Sequence, residues 1–173
     1  MLIAFYIAGV IAVVSTIMAV TRSNAVHALL YLIVSFLAAA VVLFVLGAHF
    51  AAALEVIVYA GAIMVLFVFV IMMLNIGGET EKAKERWLVP KRWIGPALMA
   101  AILFAILSYA ILNQPVATAS LSIVEPKTVG ISLYTQYLLG VEIAAVMLMA
   151  GIIGAFHLGY TKRKSKHRFL KGE

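Results

Sequence analysis

Of 173 residues, 65% are hydrophobic and only 12% are charged, and a mean hydropathy of +1.13 lies far outside the range of a soluble domain. With no cysteine, the chain excludes disulfides, thiolate zinc and any iron–sulfur cluster of its own. The net charge of +6 does not mark a nucleic-acid surface, because Lys and Arg gather in segments flanking apolar runs, where topology signals sit.

Five apolar runs, at about 2–20, 26–46, 50–74, 93–112 and 136–157, meet the roughly 20-residue requirement for crossing a bilayer. They predict an all-α integral membrane protein of five transmembrane helices, with a single membrane domain over 1–173 and a basic tail over 160–173. A barrel would show strands of about ten residues with alternating polarity, whereas Ala, Leu and Met run continuously here. The first run is full length and lacks a basic start, so it is expected to remain in the mature protein.

Either residue of Ser23-Asn24 is suited to cap the second helix. The link at 47–49 is so short that the second and third helices are expected to be adjacent and antiparallel. Gly77-Gly78 is expected to close the third helix as a left-handed cap, followed by a charged loop from Glu79 to Arg92. Trp87 and Trp93 bracket the far end of that loop and favour the headgroup zone. Asn113 to Thr135, with Pro115 and Pro126, reads as an irregular outer connection. No repeat of 20–50 residues is present, which weighs against paired inverted halves.

With these five helices, Arg22, the basic residues of 82–92 and those of 162–171 fall on one side of the membrane, leaving only Lys127 on the other. The positive-inside rule then places the N-terminus outside and the C-terminus in the cytoplasm.

Glu55 and Glu142 are the only acids inside the apolar runs, each roughly 8 Å along its helix from the outer end at 1.5 Å per residue. They could form a protonatable pair lining a water path, or could each be wetted at the interface or paired with a base on another subunit. No Lys or Arg lies in any run, and Val65 to Leu74 contains no titratable group, so this chain alone cannot pump protons. His27, His49 and His157 stand at separate helix edges without metal-ligand spacing. Tyr59, four residues after Glu55, shares its face, where its hydroxyl could bond the carboxylate or simply meet a neighbouring helix. Gly61 weakens a helix by about 1 kcal/mol relative to Ala, which leaves two uses open: close helix packing or a local π-bulge. Met64, Phe67, Phe69, Met72 and Met73 read most simply as lipid or partner contacts. Gly140, Ala144, Gly151, Gly154 and Ala155 in the fifth helix read as packing surfaces.

Three stretches carry a resemblance. Asn24-Ala25-Val26-His27-Ala28-Leu29-Leu30, the string from Glu55 through Tyr59-Ala60-Gly61-Ala62 to Phe69, and Val141-Glu142-Ile143-Ala144-Ala145 with Gly154-Ala155 resemble the subunit J (mitochondrial membrane subunit 6) family of proton-translocating NADH:quinone oxidoreductase, respiratory complex I. The resemblance runs to about Tyr160 and implies a five-helix subunit of the membrane arm of a bacterial cytoplasmic-membrane enzyme. Its implied partners are the lipid bilayer and the other membrane subunits around the quinone junction. FMN, iron–sulfur clusters and quinone would belong to other subunits, with no catalytic residue, cofactor or metal in this chain. In this family the third helix can form a π-bulge, and its rotation is thought to open or close a hydrated link between the quinone site and the proton channels. Carried onto this sequence, Tyr59, Ala60, Gly61, Ala62, Met64, Val65 and Phe67 form the gating segment. Ala25 stands where proline is common in the family. A small subunit of a multisubunit cation/proton antiporter is the alternative, and a bundle that only fills a seam is a third reading.

Overall fold

The computed structural model describes residues 2–74, 93–112 and 124–160. Among them the regular elements are all helical: α1 (Leu2–Thr21), α2 (Ala25–Val45), α3 (His49–Leu54), a π-helical segment (Glu55–Ile63), α4 (Met64–Leu74), α5 (Ile94–Leu112), α6 (Pro126–Thr135) and α7 (Leu138–Gly159). Five helices are long and apolar enough to cross a membrane: α1, α2, the composite third span His49–Met73, α5 and α7. The expected cap at Gly77-Gly78, the loop with Trp87, and the tail beyond Tyr160 lie outside the described residues.

The chain forms two units, Met1–Pro126 and Lys127–Glu173. In the first, α2 is the central rod, with α1, α3, the π segment, α4 and α5 all packed along it. Its inward stripe, Val34, Ala38, Val41 and Val45, meets Ala8 and Ile11 of α1 and Leu103 of α5. The spacing of three or four residues on each helix is that of one helical face. Ala8 and Ala38 are fully buried, and small side chains at these points let α1 and α2 approach closely, which in lipid favours association through van der Waals contact.

Hydroxyls reinforce that contact. Thr16 Oγ1 and Ser35 Oγ lie 2.7 Å apart, and both reach the Ala12 carbonyl oxygen, at 2.8 and 3.2 Å. The Ser15 hydroxyl, fully buried, donates to Met99 Sδ of α5 at 3.5 Å. At the start of α5, a Cβ on Gly95 would collide with the Tyr31 hydroxyl of α2. The Arg22 guanidinium lies 5.4 Å from the centre of the same Tyr31 ring.

Asn24 is the cap of α2, its side-chain oxygen accepting from the backbone N–H groups of Val26 and His27 at 3.0 and 3.2 Å. Capping here does not need a proline at position 25, because the side chain satisfies the free amides of the first turn. At the other end, the Ala48 N–H donates to Leu43 O and the Gly47 N–H to Phe44 O, both at 3.0 Å. With Gly47 at φ 87° this is a Schellman turn, and it reverses the chain at once into α3. His49, the first residue of α3, stacks on Phe44 with ring centroids 4.3 Å apart.

The second unit revises the reading of 113–135 as irregular throughout, because residues 126–135 form α6. Pro126 opens it, a position where the missing N–H costs no hydrogen bond and the fixed φ suits the first turn. α6 ends where the Gln136 and Tyr137 N–H groups both turn back to Ser132 O, and α7 follows from Leu138.

Candidate functional site

The π segment interrupts the third span. The Glu55 N–H still donates to Ala51 and Ala52 carbonyls, in the ordinary helical range, but at the far end the Met64 N–H is shared between Gly61 O and Tyr59 O, the latter five residues back. This wider turn is the π pattern. Of the two uses left open for Gly61, the structure shows local widening of the helix.

Burial shows what the widening does. Ala52 and Met64 are 5% and 3% exposed, and the helices carrying them, α3 and α4, both run along α2. Twelve residues on an unbroken α-helix, at 3.6 per turn, would put them about 120° apart. Absorbing about one extra residue in the wide turns brings that angle to about 20°, so both reach one face. Val68 and Ile71, half-buried, continue the face along α4.

Gly61 sits where the altered backbone leaves little room for a side chain. A Cβ there would lie 3.1 Å from the carbonyl oxygen of Val56, five residues earlier, closer than an ordinary van der Waals contact. Tyr59, midway along the segment, meets Phe36 of α2 with ring centroids 5.4 Å apart and planes inclined by 43°. Tyr59 thus meets a neighbouring helix, one of the two roles open to it. Ala60 and Gly61 are half-buried, while Ala62 is exposed. Met64 begins α4 and is a contact within this chain, rather than with lipid or a partner. Val65 and Phe67, 64% and 49% exposed, lie on α4 away from that buried position.

Glu55 is the half-buried first residue of the π segment. Counting from His49 it lies about 9 Å along its span. Glu142 belongs to the second unit, about 6 Å into α7 and exposed. No cluster of three or more His, Asp or Glu suited to a metal ion occurs among the described residues. Phe36 and Ala52, which face or flank the site, escaped the sequence reading because each is one apolar residue in a long apolar run. Only the interruption of the helical period, with its burial pattern, singles them out.

The model of the family described as NADH-ubiquinone/plastoquinone oxidoreductase chain 6 matches residues 15–158. The chain is 52% identical to NADH-quinone oxidoreductase subunit J of Escherichia coli strain K12, over 92% of this chain and 87% of that protein. Against the subunit J of Pseudomonas aeruginosa the identity is 51%, over 90% and 95%. With that of Buchnera aphidicola subsp. Schizaphis graminum it is 45%, over 92% and 98%. A family match running from the last turns of α1 through α2 and the π segment to α7, with relatives of this identity over nearly their whole length, means that the chain belongs to the NADH-quinone oxidoreductase chain 6 family, membrane subunits of respiratory complex I.

Proposed function

We propose that this subunit couples quinone reduction to proton translocation, with the third span as the gate of a hydrated link near the quinone site. The observation that supports this is the π segment Glu55–Ile63 between the buried residues Ala52 and Met64. If the wide turns relax to α-helix, the register of α4 slips by about one residue, a rotation of roughly 100°. Ile63, Phe67 and Val70 would then take the places of Met64, Val68 and Ile71 against α2. Such a rotation moves bulky apolar groups, Phe67 above all, into or out of a neighbouring path without any need for a titratable group on α4. The chain thus opens or closes a water path that other subunits use, and transfers no electrons.

In this reading the N-terminus faces outward and the C-terminus faces the cytoplasm of a bacterium, across its inner membrane. The partners are the membrane-arm subunits around the quinone junction, and FMN, iron–sulfur clusters and quinone are held by other subunits. The names borne by the relatives favour this reading over the antiporter alternative.

The test is Gly61→Leu in the assembled complex, with subunit content and two activities measured in the same membrane vesicles. Gating predicts normal assembly, impaired quinone reduction coupled to pumping, and near-normal electron transfer from NADH to an artificial acceptor. Failed assembly would indicate a packing role for Gly61, and normal assembly with full coupled activity would remove the need for a flexible glycine.

A further inference from the structure

We propose that Phe36 of α2 is a positioning residue for the third span: its ring holds Tyr59, and with it the π segment, in the widened register. The link to activity rests on the gating reading, but the claim about register stands apart from it.

The two sides of this contact differ in how firmly they are held. Phe36 follows Ser35, whose hydroxyl is tied to Thr16 Oγ1 and to the Ala12 carbonyl of α1 at 2.7 and 3.2 Å. Val34 and Ala38, on either side, belong to the buried core. At this level α2 is fixed to α1, and the Phe36 ring projects from a stationary helix. Tyr59 is the fifth residue of a nine-residue π segment in which no side chain is fully buried. Its backbone carries the weakness of Gly61 and the non-standard hydrogen bonding of the wide turns. The anchors Ala52 and Met64 lie outside the segment, at either end. Within it, the Phe36–Tyr59 ring contact at 5.4 Å is the aromatic tie to α2 among the described residues.

Because relaxation to α-helix turns the span progressively through the segment, Tyr59 cannot keep its direction while Met64 loses its own. The ring pair must separate before α4 can rotate. A tilted aromatic pair at this distance favours the joined state by roughly two- to tenfold beyond the area it buries. That is a suitable strength for a catch that must hold the widened register and still release it.

The test uses the intact complex purified from membranes, imaged by cryo-electron microscopy with particles sorted by the register of residues 55–63. Phe36→Leu, which keeps apolar bulk and removes the ring, should raise the ratio of α-register to π-register particles by roughly two- to tenfold. Phe36→Tyr, which keeps the ring, should leave the ratio unchanged. Tyr59→Leu should match Phe36→Leu, and the double variant should go no further than either, because both remove the same contact. An unchanged ratio in the Leu variants, or fully additive effects in the double variant, would overturn the proposal. If Phe36→Leu fails to assemble, Tyr59→Leu with Tyr59→Phe as its ring-retaining control decides the matter on the same readout. Coupled quinone reduction is measured on the same preparations. A register shift with unchanged coupling would defeat the gating reading while leaving the role of Phe36 in place.

Discussion

Gly61 lies against the carbonyl oxygen of Val56, at a distance of 3.1 Å from where its Cβ would be. The five-residue offset belongs to the π register, so even a methyl group at this position acts on the choice between two backbones. Gly61→Ala is therefore expected to shift the third span toward continuous α-helix, and to lower coupled quinone reduction partly while sparing electron transfer to an artificial acceptor. The check is the ratio of the two activities in vesicles together with the register seen in the purified complex. Equal activities and an unchanged register would show that the Val56 carbonyl yields without consequence.

The five spans were legible in the sequence because each is a long apolar run, and their ends differ from expectation by at most two residues. Asn24 was one of two possible caps, and the hydrogen bonds select it. The π segment could not be read from Gly61 alone, since a glycine flanked by alanines suits close packing equally well. What decides between the uses is that Ala52 and Met64 share a face, and that depends on α2 lying alongside. α6 was missed because ten residues with lysine, threonine and glycine are too short and too polar to stand out beside the long apolar runs. The significance of Ser35 and Phe36 rests on contacts between helices, which residue spacing along one helix does not contain.

The hydroxyl pair of Thr16 and Ser35 offers a second prediction. Bonds of this kind between membrane helices are worth about 0.6 kcal/mol on average. Ser35→Ala and Thr16→Ala should each lower the temperature at which this subunit is lost from the purified complex, by a small and similar amount. The double variant should fall short of the sum, since one bond is removed twice. Strict additivity would mean that the hydroxyls act separately, each through the Ala12 carbonyl.

For the acids, Glu55→Gln is expected to lower coupled activity only in part, because no titratable side chain continues the path from Val65 to Leu74. Glu142→Gln should have a smaller effect. The measurement is proton pumping per NADH oxidised at equal subunit content. Complete loss in Glu55→Gln with normal assembly would make that carboxylate an obligatory relay.

Orientation is tested by reporters. A fusion after Glu173 should register as cytoplasmic and one before Met1 as external, because the basic residues concentrate on a single side. Reversed signals would overturn the topology and, with it, the outward placement of Glu55.

The last prediction concerns the entry of α5, where Gly95 and Tyr31 compete for one space. A methyl group on Gly95 would collide with the Tyr31 hydroxyl, whereas one on Gly9 of α1 would meet no atom within 4 Å. The Tyr31 ring has little room to withdraw, since it is 7% exposed. Gly95→Ala should therefore reduce the amount of assembled subunit, although alanine is the better helix former by about 1 kcal/mol. Gly9→Ala, with the same gain in propensity and no collision, should be neutral or stabilising. Removing the obstructing oxygen should reverse the defect, so that Gly95→Ala combined with Tyr31→Phe assembles better than Gly95→Ala alone. The measurement is subunit content per milligram of membrane by quantitative mass spectrometry. If Tyr31→Phe gives no rescue, the requirement for glycine at the head of α5 does not come from this contact.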